Sequence, residues 1–332
     1  MPDQPSEFDL IAQLAPFLAG THGDVAVGHG DDAAVLDLDG RLVVVAVDVV
    51  VEGVHFTRGV STAGDVGWKA VAVNVSDLAA MGARPDAAVV GLCRPGDVDV
   101  AEVERLYAGM SEACTRWGLR LVGGDTVRAD ALALSVTVFG RLAAKRPVTR
   151  SGARPGDALV VVGSLGGPAA AVAGLAAGVT VDPRHLAAHR RPRALVEAGC
   201  VLAQGGASAM IDVSDGLGAD LGHICAASGV RARVRADALP LDEGLRDAAA
   251  ALGADPLDLA CGGGEDFALL ATVPEQDAPR LAAAAGAAEG VAAAVIGEVV
   301  AAVADEPVAE LVHADGTTAD LSALGYDHYA AG

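Results

Sequence analysis

Seven aspartates stand in short clusters, most of them flanked by Gly or Ser, between Asp31 and Asp215. The segments are Gly30-Asp31-Asp32-Ala33, Val47-Asp48, Asn74-Val75-Ser76-Asp77, Gly123-Gly124-Asp125-Thr126 and Asp212-Val213-Ser214-Asp215-Gly216. Taken singly, an aspartate is usually a helix N-cap or a turn residue, and Asp99, Asp182 and Asp242 read that way, each opening a helix. The clustered set is different. Asp48 interrupts an apolar strand and Asp77 an apolar helix, where a lone carboxylate is costly. Carboxylates that meet repel one another unless protons or cations intervene, and Mg²⁺ takes oxygen ligands of this kind. A fold that draws these segments together holds metal, and such metal points to phosphate chemistry.

The rest of the composition removes several other classes. Lys plus Arg is 23 against 44 Asp plus Glu, a formal charge of −21, so nucleic acid and anionic membrane are poor partners. The only lysines are Lys69 and Lys145, and neither follows a phosphate-binding G-x-x-x-x-G loop. Five scattered cysteines without C-x-x-C spacing support neither a zinc site nor a disulfide framework; reduced, mostly buried thiols are expected. The N-terminus is acidic and leads into no apolar signal core, so a cytoplasmic location is expected. Ala158 to Val181 is uncharged and long enough to span a bilayer, but Gly163, Gly166, Gly167 and Pro168 read better as a turn between a strand and a helix. No EF-hand loop, dinucleotide fingerprint or serine-hydrolase elbow is present.

Hydrophobic periodicity predicts a mixed succession of elements. A helix capped by Ser6 carries Phe8, Ile11, Leu14 and Leu18; strands run over Ala33–Leu38 and Arg41–Val51; a helix from Ala63 to Met81 carries Lys69, Asn74 and Asp77. Next come a strand over Ala87–Leu92, a helix from Asp99 to Trp117 ended by Gly118, a strand Leu119–Val122 running into Gly123-Gly124-Asp125, and a strand over Leu132–Gly140. The turn-rich segment Thr149–Asp157 marks a domain boundary. Beyond it lie a strand Ala158–Val162, helices Pro168–Ala177 and Pro183–Gln204, a strand Ala207–Val213, and a helix Gly216–Ser228. The free N–H groups at the start of that last helix suit an anion beside the aspartates. Two mixed layers of helices and sheets result.

Three further residues stay open on physical grounds alone. His55 in Glu52-Gly53-Val54-His55-Phe56 serves equally well as a strand-end histidine, and Tyr326 beside Asp327 and His328 as a packed tail. Glu265, in a triple-glycine loop, implies close backbone approach to a ligand or to another strand.

Read in order, these segments resemble the thiamine-monophosphate kinase family, of the superfamily that includes aminoimidazole ribonucleotide synthetase and selenophosphate synthetase. The resemblance covers nearly the whole chain. It rests on the aspartate clusters together with Val51-Glu52-Gly53-Val54-His55-Phe56, Leu78-Ala79-Ala80-Met81-Gly82-Ala83, Thr149-Arg150-Ser151-Gly152, Gly263-Gly264-Glu265-Asp266 and Gly325-Tyr326-Asp327-His328.

The resemblance implies an α+β, two-domain aminoimidazole ribonucleotide synthetase-like fold. Residues 1–148 would form an N-terminal ATP- and Mg²⁺-binding, dimerising domain, and residues 149–332 a C-terminal α/β sandwich completing the nucleotide and substrate site. It implies transfer of the ATP γ-phosphoryl group to thiamine monophosphate, with several Mg²⁺ ions and no general base. It assigns metal contacts to Asp32, Asp48, Asp77, Asp125, Asp212 and Asp215; ATP contacts to Gly124, Asp125, Arg150, Ser214 and Tyr107; and thiamine-phosphate contacts to His55, Glu265 and Tyr326. It also implies a homodimer with ATP in a groove at the junction.

One departure is that Ala46 and Val47 stand where similar proteins often carry Ser or Thr before the aspartate, so hydroxyl ligands are lost near Asp48. The competing readings are a non-catalytic acidic protein binding nucleotide or divalent ions, and a sibling ATP-dependent enzyme of the superfamily. The selenophosphate sibling is disfavoured, since no reactive Cys with Lys lies near the N-terminus.

Overall fold

The computed structural model describes residues 7–18, 23–304 and 306–326. The expected Ser6 cap, the side chain of Phe8, and Asp327 and His328 of the tail lie outside the described residues.

The first half runs α1 (Glu7–Leu14), β1 (Val25–Val27), β2 (Ala34–Leu38), β3 (Arg41–Val51), α2 (Ala63–Ala80), β4 (Ala83–Arg94), α3 (Val100–Trp117), β5 (Arg120–Arg128) and β6 (Ala133–Leu142). Its six strands form one sheet in the order β1-β2-β3-β6-β4-β5, antiparallel except for the β4–β5 pair. Alternate residues of β6 are buried, the period of a strand with one face on the core. That face lies against α2 and α3.

The second half runs β7 (Asp157–Val162), α4 (Gly167–Ala177), α5 (Pro183–Arg190), α6 (Val196–Gln204), β8 (Ala209–Val213), α7 (Leu217–Ser228), β9 (Val230–Arg235), α8 (Leu245–Leu252), α9 (Pro256–Gly262), β10 (Ala268–Pro274), α10 (Ala278–Glu289), β11 (Ala293–Ala301), β12 (Ala309–Val312) and β13 (Thr318–Asp320). Its sheet has the order β13-β12-β9-β11-β7-β10-β8. Here β7 and β8 are buried at every position, as expected of apolar runs covered on both faces. Val160, Leu269 and Met210 look toward α6, α10 and the first half; Val161, Leu270 and Ile211 pack under α4, α7 and α9. The fold is α+β with two sheets.

Helix α2 is the central element. Most of its residues are buried, and a helix apolar around its circumference must be enclosed. It touches β3, β6, α3, α6 and β8. A capping box starts it, in which Thr62 Oγ1 accepts from Asp65 N and Asp65 Oδ2 accepts from Thr62 N. Its crossing with α3 is close: a Cβ on Gly67 would lie 2.0 Å from Leu106 O, and one on Gly109 would lie 1.9 Å from Gly64 O.

The two tryptophans fasten the halves together. Trp68 on α2 and Trp117 on α3 meet in a tilted pair, 5.1 Å between centroids and 53° between planes, and their indole N–H groups donate to Pro192 O (2.8 Å) and Ala194 O (3.1 Å). Arg191 lies over Trp68 at 5.5 Å and pairs with Asp65 and Glu112. Such ring pairs and cation–π contacts contribute about 1 kcal/mol each.

Three expectations need correction. The predicted helix Pro183–Gln204 is two helices, α5 and α6, parted at Arg191-Pro192-Arg193, because Pro192 lacks an N–H and restricts the residue before it. Gly123-Gly124-Asp125-Thr126 lies within β5, paired in parallel with β4 as far as Arg128, rather than in a loop after it. Asp242 caps no helix: α8 begins after Gly244 without a side-chain cap, and Asp242 instead accepts from Ser164 Oγ (2.7 Å) and faces His185 Nε2 (3.2 Å). Asp99 and Asp182 do cap α3 and α5. The uncharged stretch Ala158–Val181 is β7, a turn and α4, and no helix among the described residues is long and apolar enough to cross a membrane. Four of the cysteines are buried, Cys93 is partly exposed, and all five are unbridged.

Substituting Gly109→Ala should cost about 3 kcal/mol, since neither backbone at the α2–α3 crossing has a flexible group to move aside. Thermal unfolding measures this, and an unchanged midpoint would contradict the closeness of the crossing.

Candidate active site

Three carboxylates from three separate elements meet at the centre. Asp32 precedes β2, Asp77 lies near the end of α2, and Asp212 lies on β8; each offers an oxygen, and these atoms all lie within 4.8 Å of one another. Asp48, on the inward face of β3 between buried Ala46 and Val50, and Asp215, after β8, act electrostatically on the same group. Val47 points the other way and is 57% exposed, so the lost hydroxyl at that position would have faced away from Asp48.

Like charges at this separation repel by about 3–4 kcal/mol per pair at an effective dielectric near 20. Three such pairs approach the whole stability of a domain. The carboxyl groups respond by holding protons. Burial, then the charges of Asp48, Asp212 and Asp32, push Asp77 well above the usual carboxylate range. Burial and the Asp32 charge raise Asp212 to about 8; burial with Asp215 and Asp32 raises Asp48 to about 6. Among the described residues Arg150 answers them with positive charge: its Nε and Nη2 both donate to Asp32 Oδ1 (3.2 and 2.7 Å), and its backbone N–H donates to Asp31 Oδ1 (2.9 Å). Asp32 Oδ2 is buried with no hydrogen-bond partner. A hard cation fits this donor set, since it would satisfy that oxygen and relieve the repulsion together.

Local structure holds each ligand candidate in place. Asn74 Oδ1 accepts from Asp48 N (2.8 Å) while its Nδ2 donates to Ala70 O, and Ser76 Oγ donates to Asp212 Oδ2 (2.5 Å). Asp220 on α7 accepts from Ser214 N (3.0 Å) and Asp215 N (3.2 Å). Those two N–H groups, which lie just before α7, are thus taken by a carboxylate.

The other sequence candidates fall into two groups. His55, Glu265 and Tyr326 gather beside the Asp212–Asp215 loop. Glu265 N donates to Ser214 O (2.7 Å), Tyr326 N to Asp215 O (2.9 Å), and His55 O accepts from Lys69 Nζ (2.9 Å), which pairs with Glu265 Oε1 (2.5 Å). The triple glycine makes the first of these contacts feasible, because a Cβ on Gly264 would meet Ser214 O at 2.4 Å. Asp125 and Gly124 stand apart on the exposed edge strand β5, and in the single chain they do not join the cluster. A Cβ on Gly124 would lie 2.0 Å from Val90 O, so strand pairing alone accounts for that glycine. Tyr107, on α3, packs against the core.

Sequence reasoning passed over three residues here. Lys69 was visible as a buried-helix lysine and was weighed only as a missing phosphate ligand. Asp220 lies in the first turn of α7, five residues after Asp215. His189, whose Nδ1 lies 2.6 Å from Glu265 Oε2, carries no local signal at all.

Comparison with known proteins agrees with the two-domain α+β fold. Residues 30–142 match the family "AIR synthase related protein, N-terminal domain" and residues 154–309 its C-terminal counterpart. A thiamine-monophosphate kinase of Mycobacterium tuberculosis is 45% identical over 248 residues, 74% of each chain. That of Salmonella typhimurium is 37% identical over 330 residues, 98% of each. Among solved structures, one described as AaThiL complexed with AMPPCP and TMP superposes with a TM-score of 0.82 at 31% identity, covering 97% of both chains.

Because the folded-state values of Asp48 and Asp212 lie above the ordinary 3.8, their contribution to stability is present in acid. It is lost as pH rises through about 6 and then about 8. Asp212→Asn keeps the shape and removes the charge. Without divalent ions its stability advantage over the parent should widen by at least about 2 kcal/mol between pH 5 and 8.5, and Mg²⁺ should narrow it by stabilising the parent. Melting curves at the two pH values check this; a pH-independent gap would show that the carboxylates do not oppose one another.

Proposed function

The chain belongs to the thiamine-monophosphate kinase family of AIR synthase related proteins, and from that premise we propose that it transfers the γ-phosphoryl group of ATP to thiamine monophosphate, giving thiamine diphosphate and ADP. The observation that carries the reading is the convergence of Asp32, Asp77 and Asp212 next to a loop whose backbone also anchors Glu265 and Tyr326.

Asp32, Asp48, Asp77, Asp212 and Asp215 would hold Mg²⁺, which neutralises phosphate charge and so lowers the repulsion between two polyanions. The acceptor phosphate, with a second pKa of about 6, is already nucleophilic at neutral pH. No general base is needed, and the protein's task is to bring donor and acceptor into line. Arg150 offers a guanidinium fork to phosphate oxygens, and Ser214, just after β8, would serve ATP. His55 Nδ1 accepts from Val51 N (3.1 Å), which fixes the orientation of the ring assigned to the acceptor phosphate. Tyr326, half exposed at 51%, offers its ring to the cationic thiazolium for about 0.5–2 kcal/mol. Glu265 supplies a carboxylate to the same substrate.

Gly124, Asp125 and Tyr107 enter this scheme through a homodimer. The outward face and edge of the first sheet expose Val47, Val49, Val122 and Val127 by 48–64%, apolar side chains that a partner chain would cover. A second copy covering it would place ATP in a groove at the junction, with Gly124 and Asp125 of β5 on its wall. Residues 1–148 would then serve dimerisation and ATP binding, and residues 149–332 would complete the site. A cytoplasmic location accords with these substrates.

ADP release should depend on thiamine monophosphate and on Mg²⁺ and should cease with a chelator; nucleotide binding without acceptor-dependent turnover would favour the non-catalytic reading instead. Asp77→Asn should lower turnover by at least about a hundredfold while the protein stays folded, and a near-normal rate would refute its role. Val47→Asp should convert a dimer to monomer in sedimentation, and a parent that is already monomeric at micromolar concentration would refute the dimer.

A further inference from the structure

The carboxylate of Glu265 is gripped from both sides by side chains that play no part in the reading so far. Lys69 Nζ lies 2.5 Å from Oε1 and His189 Nδ1 lies 2.6 Å from Oε2. Both partners are buried, at 2% and 8% exposure, whereas the Glu265 side chain keeps 24% of its surface open. The cluster is therefore a buried clamp with its carboxylate at the mouth.

The two sides of the clamp come from different halves of the chain. Lys69 belongs to α2 and His189 to α5. Lys69 also donates to His55 O at 2.9 Å, so one ammonium ties the backbone of His55 to the carboxylate of Glu265. Those are two of the three residues assigned to thiamine monophosphate above. The Glu265 backbone sits at φ +70° and that of Phe267 at φ +48°, a left-handed conformation that a non-glycine residue adopts only when its surroundings hold it there.

We propose that Lys69 and His189 are positioning residues for the acceptor substrate: together they fix the orientation of the Glu265 carboxylate and its distance from His55. The inference rests on the functional reading above and adds two residues to it. A carboxylate oxygen has two lone pairs, so each oxygen of the clamped group retains acceptor capacity for an N–H donor of the substrate. Held by two partners, it meets that donor without first losing rotamer freedom. Lys69 is thus a strut within the acceptor site, although it lies in no phosphate-binding loop.

The test compares His189→Leu, His189→Asn and Lys69→Met in steady-state kinetics with each substrate varied in turn. His189→Leu deletes one hydrogen bond to a charged group, a change of about tenfold or more. It should appear in KM for thiamine monophosphate, with KM for ATP within about twofold of the parent. His189→Asn keeps an N–H close to the position of Nδ1 and should return the acceptor KM to within about threefold. Lys69→Met should show the same acceptor-selective loss; should it fail to fold, the His189 pair decides alone. A general loss of packing would lower the active fraction and leave the acceptor KM untouched. Equal effects on both substrates, no effect on either, or Asn behaving as Leu does, would overturn the proposal. A parent protein that makes no ADP with thiamine monophosphate would instead overturn the functional reading itself.

Discussion

Repulsion among buried carboxylates is the constraint around which the rest of the structure is arranged. Asp32, Asp77 and Asp212 come from elements far apart in sequence, and ionised together they would approach the folding free energy of a domain in unfavourable energy. The protein tolerates this by leaving protons on several of them, by setting Arg150 against Asp32, by orienting Asp212 Oδ2 through Ser76, and by holding the backbones of Asp48 and Asp215 through Asn74 and Asp220. Those positioning contacts explain why the cluster is a defined site and not a loose acidic surface.

Helix α2 carries this arrangement along one rod. Asn74, Ser76 and Asp77 serve the carboxylate end, while Lys69, eight residues before Asp77, reaches Glu265 and His55. At 1.5 Å per residue the two ends lie about 12 Å apart along the axis, a spacing that suits an acceptor molecule reaching from Glu265 to the phosphate end. Rigid enclosure of α2 by both sheets is what keeps that spacing constant. The close glycine crossing with α3 and the Trp68–Trp117 anchor on the Arg191–Ala194 segment belong to the same framework.

Much of the architecture could be read directly from local chemistry. The ends of α3 followed from Asp99 and Gly118, and the apolar run at β7 from its lack of alternation. Errors arose where a tertiary effect outranked a local one. Pro192 is the local exception: it divided an apparent helix through its missing N–H, and Trp68 then took the freed carbonyl. Gly123–Thr126 joined β5 because β4 offered a parallel partner. Asp242 left the helix start to bind Ser164 and face His185.

The amino-acid order by itself determined which residues could form a cation site, because aspartates placed in an apolar strand and an apolar helix have few other uses. It also determined the family, through motifs each held to its own short segment. Only the tertiary structure decided which carboxylates share a centre, that Asp125 stands apart from them in one chain, and that Lys69 and His189 close on Glu265. Those outcomes depend on distances between elements far apart in the chain, 76 residues for His189 and Glu265 and 136 for Ser76 and Asp212. Such distances are set by the packing of α2 between two sheets, for which no local pattern in the chain is a measure.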